Sequence, residues 1–321
     1  MLLTTQSIKA DVTSERPISP HGGATEIHCS ITVLDLDAVN DAIQNFTVNL
    51  FLTCRWKDAR LANDGPGNVI KDVSAVWHPK IMFLNRQKLW TQTDDVVEVS
   101  PSGAVVYRKH FWGDFSQPLN MRNFPFDTQD LQISLIAAGA YGHDEVSLIQ
   151  DPGNPSTMAD EYSVADWKVI GTRVESGPKL LPTGETAAAL TLSLIVERES
   201  QHYIVKFIAP LLMILVLSWV VFWLSPDESA QLSVGVTSCL TVIAYHLALS
   251  ARLPKIPYLT HMDIFVLGAT MLVFLAMIEV VVTTRLAGAG QLERAIKIDR
   301  MSRLVFPSLL ALVISYAFYL R

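Results

Sequence analysis

The chain has 321 residues and a net charge of −6; half of it is hydrophobic and 17% is charged. Soluble domains carry about a quarter charged residues, so this balance argues against a disordered or wholly soluble chain. Residues 1–200 hold 16 Lys/Arg against 25 Asp/Glu, whereas residues 201–321 hold 9 against 6, and so acidic a larger half excludes nucleic-acid binding through a basic surface.

The first 20 residues lack a basic stretch followed by an apolar run, so no signal peptide is read there. Export of the N-terminal half would imply a leader already removed. From residue 26 onward the chain alternates over short stretches: 26–33, 45–56, 104–110, 131–136 and 190–198. These are rich in Val, Ile, Thr and Phe, and turn clusters such as Asn63-Asp64-Gly65-Pro66-Gly67 separate them. Residues 1–200 are therefore expected to form an all-β, immunoglobulin-like sandwich. Cys29, Cys54 and Cys239 have no metal or disulfide-framework spacing and read as filler. Asn45-Phe46-Thr47 matches a glycosylation acceptor but falls inside a strand. Asp94-Asp95, Asp144-Glu145 and Asp160-Glu161 are adjacent carboxylates. Neighbours on a strand point to opposite faces, whereas an acid/base pair must converge across a bond. With no nucleotide or nucleophile motif either, no enzyme, cofactor or metal is expected.

Four apolar stretches follow, at about 204–224, 230–250, 262–284 and 302–320. Each approaches the ~20 residues that a helix needs to cross ~30 Å of hydrocarbon, so residues 201–321 are expected to form an all-α, four-helix transmembrane domain. The third link, 283–303, carries Arg285, Arg294, Lys297, Arg300 and Arg303 and is placed in the cytoplasm. The N-terminal domain and the C-terminus are then extracellular or periplasmic.

The second span carries Ser229, Ser233, Thr237, Leu240, Ala244, Leu247 and Ala251 at intervals of three and four. They fall within roughly 80° of one another on a helix. The stripe is hydroxylated in its inner half and aliphatic in its outer half, which suits a pore lining. Helix packing through small residues is the alternative. One helix cannot enclose water, so several copies must surround an axis in a symmetric oligomer. Rings of carboxylates select cations and apolar constrictions close a pore by dewetting. Asp227 and Glu228 are accordingly the selectivity candidates, and Leu240 and Leu247 the gate. Capping of the helix N-terminus is the alternative role for the two carboxylates.

Several motifs then resemble the pentameric ligand-gated ion channels, or Cys-loop receptors, in their prokaryotic form. Trp56-x-Asp58-x-Arg60-Leu61 is one, and Trp77-x-Pro79 with Asn85 is another. Phe124-Pro125-Phe126-Asp127 resembles the core of the signature loop. Arg198 stands before the first span, Pro210 within it, and Leu253-Pro254-x-x-Pro257-Tyr258 between the second and third. Gln117 and Leu131 stand where animal members carry the loop cysteines, as in bacterial members.

The resemblance implies a homopentamer: four identical partner subunits, a bacterial inner-membrane, multi-pass setting, and second helices around the pore. Anion-selective members carry Pro-Ala-Arg at the inner mouth. Ser229-Ala230-Gln231 has no arginine here, which favours Na and K as permeant ions. Coupling is implied for Asp37 in the 36–40 loop, Phe124, Pro125, Phe126, Asp127, Arg198 and Pro254, with Asp127 and Arg198 as an ion pair. Agonist-pocket candidates are Met82, Phe83, Ile136, Ala138, Arg173 and Glu175. The last stands at the start of a principal-side loop, 175–185, that has no aromatic residue, so capture of an amine by cation–π contact is poorly supported. The stimulus is a small-molecule agonist or protons, with His202, His246 and His261 as titratable candidates. A membrane-anchored sensor without conduction is the alternative function.

Overall fold

A computed structural model describes residues 15–17, 22–137, 141–226, 228–250 and 256–319. The chain divides into two units, residues 1–119 with 128–197, and residues 120–127 with 198–321.

The first unit is a two-sheet sandwich. One sheet contains β1 (Thr25–Asn40), β2 (Asn45–Lys57), β3 (Val69–Asp72), β5 (Arg86–Thr91), β6 (Val96–Val99), β7 (Ala104–Ser116), β9 (Val146–Gln150) and β10 (Thr157–Met158). Its order is β10-β1-β2-β7-β6-β3, with β5 on β7 and β9 on β1. The other sheet contains β4 (Ile81–Phe83), β8 (Thr128–Ala137), β11 (Trp167–Leu180) and β12 (Thr186–Arg198) in the order β11-β12-β8-β4. Period-two alternation builds the core between them. On β2, Phe46, Val48, Leu50, Leu52, Cys54 and Trp56 all turn inward, as do Leu190, Leu192, Leu194 and Val196 on β12.

The family motifs in this unit turn out to brace it. Asp58, 1% exposed, accepts from the backbone N–H of Arg60 at 3.1 Å and from its guanidinium at 2.9 and 2.7 Å, closing the short turn at Ala59–Leu61. The backbone N–H of Asp58 donates to Gly103, where φ is +80° and a Cβ would stand 2.5 Å from the Asp58 carbonyl. Trp56 and Trp77 meet edge to face. The Asn85 side chain joins the β4–β5 turn to Gln132 and Ser134 of β8.

Three expectations are corrected here. Cys29 and Cys54 are not filler: the β1–β2 register sets them directly opposite, both fully buried, as a disulfide. Strand pairing brought them together across 25 residues, a relation that spacing rules do not encode. Residues 36–40 are not a loop but the end of β1, and the turn falls at 41–44. Residues 175–180 likewise continue β11, leaving a tight turn closed by Leu181 N–H to the Glu185 carbonyl at 2.8 Å. Asn45 is also no open glycan acceptor, being 4% exposed with its amide donating to Gln87.

The second unit is helical. Its helices are α1 (Gln201–Trp223), α2 (Ser229–Ser250), α3 (His261–Gly288) and α4 (Leu292–Phe318), all long and apolar enough to cross a membrane. Pro210 has no N–H to give the preceding turn, and the backbone just before it widens to a π-helical turn at Ile204–Ile208. The fourth helix starts about ten residues before the expected 302, and α3 runs four beyond the expected 284. The link between them is residues 289–291, turned by Gly290 at φ 78°. Hydropathy stops where the basic residues begin, but Arg, Lys, Glu and Ala are good helix formers. Ala295 and Asp299 face inward while Glu293, Arg294, Lys297 and Arg300 stay exposed, so the helix extends amphipathically past its apolar stretch.

Candidate pore helix and signature loop

The residues of α2 sort onto two faces. Gln231, Gly235, Ser238, Val242 and Leu249 are buried within the helical unit. At Gly235 a Cβ would lie 3.2 Å from Met277 Sδ on α3, so the close approach of the two helices favours glycine there. The expected lining positions Ser229, Ser233, Thr237, Leu240, Ala244 and Leu247 are all exposed, Leu240 by 63% and Leu247 by 67%. Ser233 and Thr237 donate their hydroxyls to the carbonyls four residues back, at 2.9 and 2.8 Å. Such bonding satisfies a hydroxyl on an apolar helix and leaves its lone pairs facing outward. Glu228 is exposed on the turn into α2, its N–H donating to the Ser225 carbonyl at 3.0 Å. Asp227, Ala251 and Pro254 lie outside the described residues.

The signature loop packs on the starts of two helices. Arg198 donates Nε to Asp127 Oδ1 at 2.7 Å and a terminal nitrogen to Oδ2 at 3.1 Å, with side chains 0% and 1% exposed. Two parallel bonds make this a bidentate, charge-assisted pair. The guanidinium also lies 5.0 Å from the Phe124 ring centroid and 5.8 Å from that of Tyr203 on α1. The peptide before Pro125 is cis. Loop carbonyls then meet the start of α3: His261 N–H donates to Arg122 and Met262 N–H to Phe124, at 3.0 and 3.2 Å. Helix N-termini leave such donors open, and here the loop supplies acceptors beside the capping box of Thr260 and Asp263. Phe126 packs on Phe318 of α4. Arg122 and Tyr258 complete the assembly, the guanidinium 5.4 Å from the Tyr258 ring centroid and the Tyr258 hydroxyl accepting from Met121 N–H at 3.0 Å. Arg122 was not singled out in the sequence. Its position two residues before Phe124 was the available signal.

The agonist candidates do not form one group. Phe83 is 2% exposed and meets Phe111 and Phe115 edge to face, while Ile136 is 3% exposed and packs with Ala187 and Ala189. Phe83 turns into the sandwich core opposite Leu135, whereas Ile136, out of phase with Leu131, Ile133 and Leu135, lies on the other face of the sheet and is covered there with Met82 beside it. Met82, opposite Ile136 in register, lines a cleft of about 440 Å³ with His78, Lys80, Asp95 and Tyr107. There the Tyr107 hydroxyl and the Lys109 ammonium both donate to Asp95 at 3.1 Å. Burial, reinforced by that carboxylate, pushes the Tyr107 phenol well above its ordinary pKa. Arg173 on β11 pairs with Asp130 at 2.8 Å and Glu175 at 3.1 Å, at the surface. Ala138 lies outside the described residues.

Asp37 accepts the Trp112 indole N–H and shares a hydrogen bond with Asp35. Burial and the neighbouring carboxyl raise the Asp37 pKa despite the indole. Burial also pushes on Asp35, but the hydroxyl and backbone N–H of Ser163 hold it below its usual value. Above the ordinary carboxylate range the folded chain keeps the Asp37 proton that the unfolded chain has released, so stability falls as pH rises through that window. Asp35 acts the other way, its contribution being lost as pH falls through its lowered value. Asp37→Asn is expected to remove the first slope and keep the second, read from thermal unfolding by tryptophan fluorescence between acid and neutral pH.

Residues 6–199 match the family model described as the neurotransmitter-gated ion-channel ligand binding domain, and residues 207–291 that of the neurotransmitter-gated ion-channel transmembrane region. The chain is similar to a proton-gated ion channel of Gloeobacter violaceus, 30% identical over 288 residues, 88% of this chain and 79% of that protein. It is also similar to the gamma-aminobutyric acid receptor subunit beta-4 of Gallus gallus, 28% identical over 267 residues, 80% of this chain but 54% of the relative. With a β-sandwich followed by four apolar helices, and both family regions matched in that order, the chain belongs to the ligand- or proton-gated ion channels of the pentameric Cys-loop family, as a membrane protein with an extracellular domain.

Proposed function

We propose that five copies of this chain form a homopentameric, cation-selective channel in the bacterial inner membrane, with α2 of each subunit lining the pore. The observation that carries this reading is the exposed stripe from Ser229 to Leu247, unbroken at six positions while the opposite face is buried. Leu240 and Leu247 close the pore by dewetting. Glu228 at the inner mouth, with Asp227 as the second candidate, attracts cations in the absence of an arginine at Ser229-Ala230-Gln231. The acidic N-terminal half raises the local cation concentration further.

The stimulus is taken to be protons or a small molecule, with the proton-gated relative favouring the former. Opening passes through Asp37, the 124–127 loop, Arg198 and Pro254. The agonist surface, reduced by the burial of Phe83 and Ile136, centres on Met82 and on the Arg173–Glu175 pair.

Cysteines placed singly along α2 test the lining. Those at Ser233, Thr237, Leu240, Ala244 and Leu247 are expected to react with a water-soluble thiol reagent, on a Cys239→Ala background, whereas one at Val242 stays protected. Labelling of Val242 with protection of the stripe sinks the pore assignment. Reversal potentials in asymmetric NaCl are expected to follow the sodium gradient. A shift toward the chloride potential would overturn cation selectivity alone.

A further inference from the structure

A set of buried polar atoms joins three of the helices and has no part in the pore lining. Gln231 of α2 is fully buried and Asp299 of α4 is 1% exposed. The Gln231 amide nitrogen donates to Asp299 Oδ2 at 3.1 Å. The Glu279 carboxyl of α3 faces Asp299 and Ser302. Yet both Glu279 oxygens, Asp299 Oδ1 and Gln231 Oε1 are buried without a hydrogen bond of normal geometry. Acceptors therefore outnumber donors, and buried acceptors left in that condition are costly.

The neighbouring side chains do not make up the deficit: the Ser302 hydroxyl offers Glu279 a single donor, and without the geometry of a normal hydrogen bond. Arg303, the nearby cation on α4, donates Nε to the Phe222 carbonyl at 2.9 Å, with its guanidinium 5.1 Å from the Trp223 ring centroid on α1. It reaches Asp299 only through its field. Thr283 of α3 donates to the Glu279 backbone carbonyl, not to its carboxyl. From α2 the facing group is the neutral Gln231. The missing donor is most simply a hydrogen on one of the carboxyls.

We propose that Glu279 and Asp299 hold one proton between them, forming a proton-binding site that ties the pore helix to the third and fourth helices through Gln231. One carboxyl, as O–H, donates to the other, and the Gln231 amide continues to donate to Asp299. The proton comes from water when the site fills and returns to water when it empties. Emptied, the site holds two like charges side by side in a low-dielectric interior, and such pairs do not both stay ionised in place. The third and fourth helices then separate there and Gln231 is released. What this does to the pore rests on the channel reading above, but the site itself does not.

The test uses the whole protein in lipid nanodiscs. Infrared spectra at neutral pH are expected to show the carbonyl stretch of a buried, protonated carboxyl, lost in Glu279→Gln. Absence of that band from the unmodified protein, or its persistence unchanged in Glu279→Gln, overturns the site. Should that variant fail to fold, Asp299→Asn is expected to lose or displace the band, and an unchanged band there overturns the site equally. In excised patches, raising the inner-side pH is expected to change the stimulus needed for half-maximal opening by about tenfold, with the response lost in Glu279→Gln. An equal response in that variant overturns the link through Gln231. A chain that never conducts but loses its band as expected overturns only the channel reading.

Discussion

Arg198→Ala is expected to cost about 3–5 kcal/mol of stability, because it leaves the Asp127 carboxylate buried without the guanidinium that now binds both its oxygens. The cost should fall on the helical unit, since the 120–127 loop also supplies the carbonyl acceptors at the start of α3. Thermal unfolding in detergent measures it. Replacing both partners, Asp127→Leu with Arg198→Met, is expected to recover most of the loss, because an apolar pair carries no stranded charge. The double variant also separates bracing from signalling. If the pair transmits the stimulus, the refolded double variant needs a changed stimulus for half-maximal opening. Gating equal to that of the unmodified channel would reduce the pair to a structural staple.

Leu240→Ser is expected to have the largest effect on conduction. The leucine is 63% exposed on the face proposed to line the pore, and in the proposed pentamer five such side chains would narrow the pore with an apolar ring. A ring of hydroxyls holds water where leucines shed it. The closed state thus loses its barrier, and opening should need at least about tenfold less stimulus, equivalent to ~1.4 kcal/mol. Currents in the absence of stimulus should also appear. The same substitution at Val242, on the buried face, should damage folding without producing such currents. A Leu240→Ser channel with unaltered half-maximal stimulus would remove Leu240 from the gate.

The strands and helices were legible because each obeys a local period: two for the sandwich, three to four for α2. The Asp127–Arg198 pair was legible only through family motifs, since 71 residues separate its members. Phe83 turns into the core while Ile136 is covered on the other face beside Met82, because the sequence at a β-strand does not say which of its two faces meets the opposite sheet or what covers the other. The buried polar cluster of Gln231, Glu279 and Asp299 went unread. Its one available signal was a carboxyl within an apolar span, where ionisable residues are costly and seldom idle.

By itself the sequence determined the division into a β half and a four-helix half, the membrane-crossing lengths and the hydroxyl-to-leucine stripe, because composition and periodicity are properties of neighbouring residues. Tertiary structure decided the Cys29–Cys54 disulfide, the extension of α4 back to Leu292, and the meeting of three helices at Glu279. Those relations depend on strand register and helix rotation, and both follow from how whole faces pack against one another.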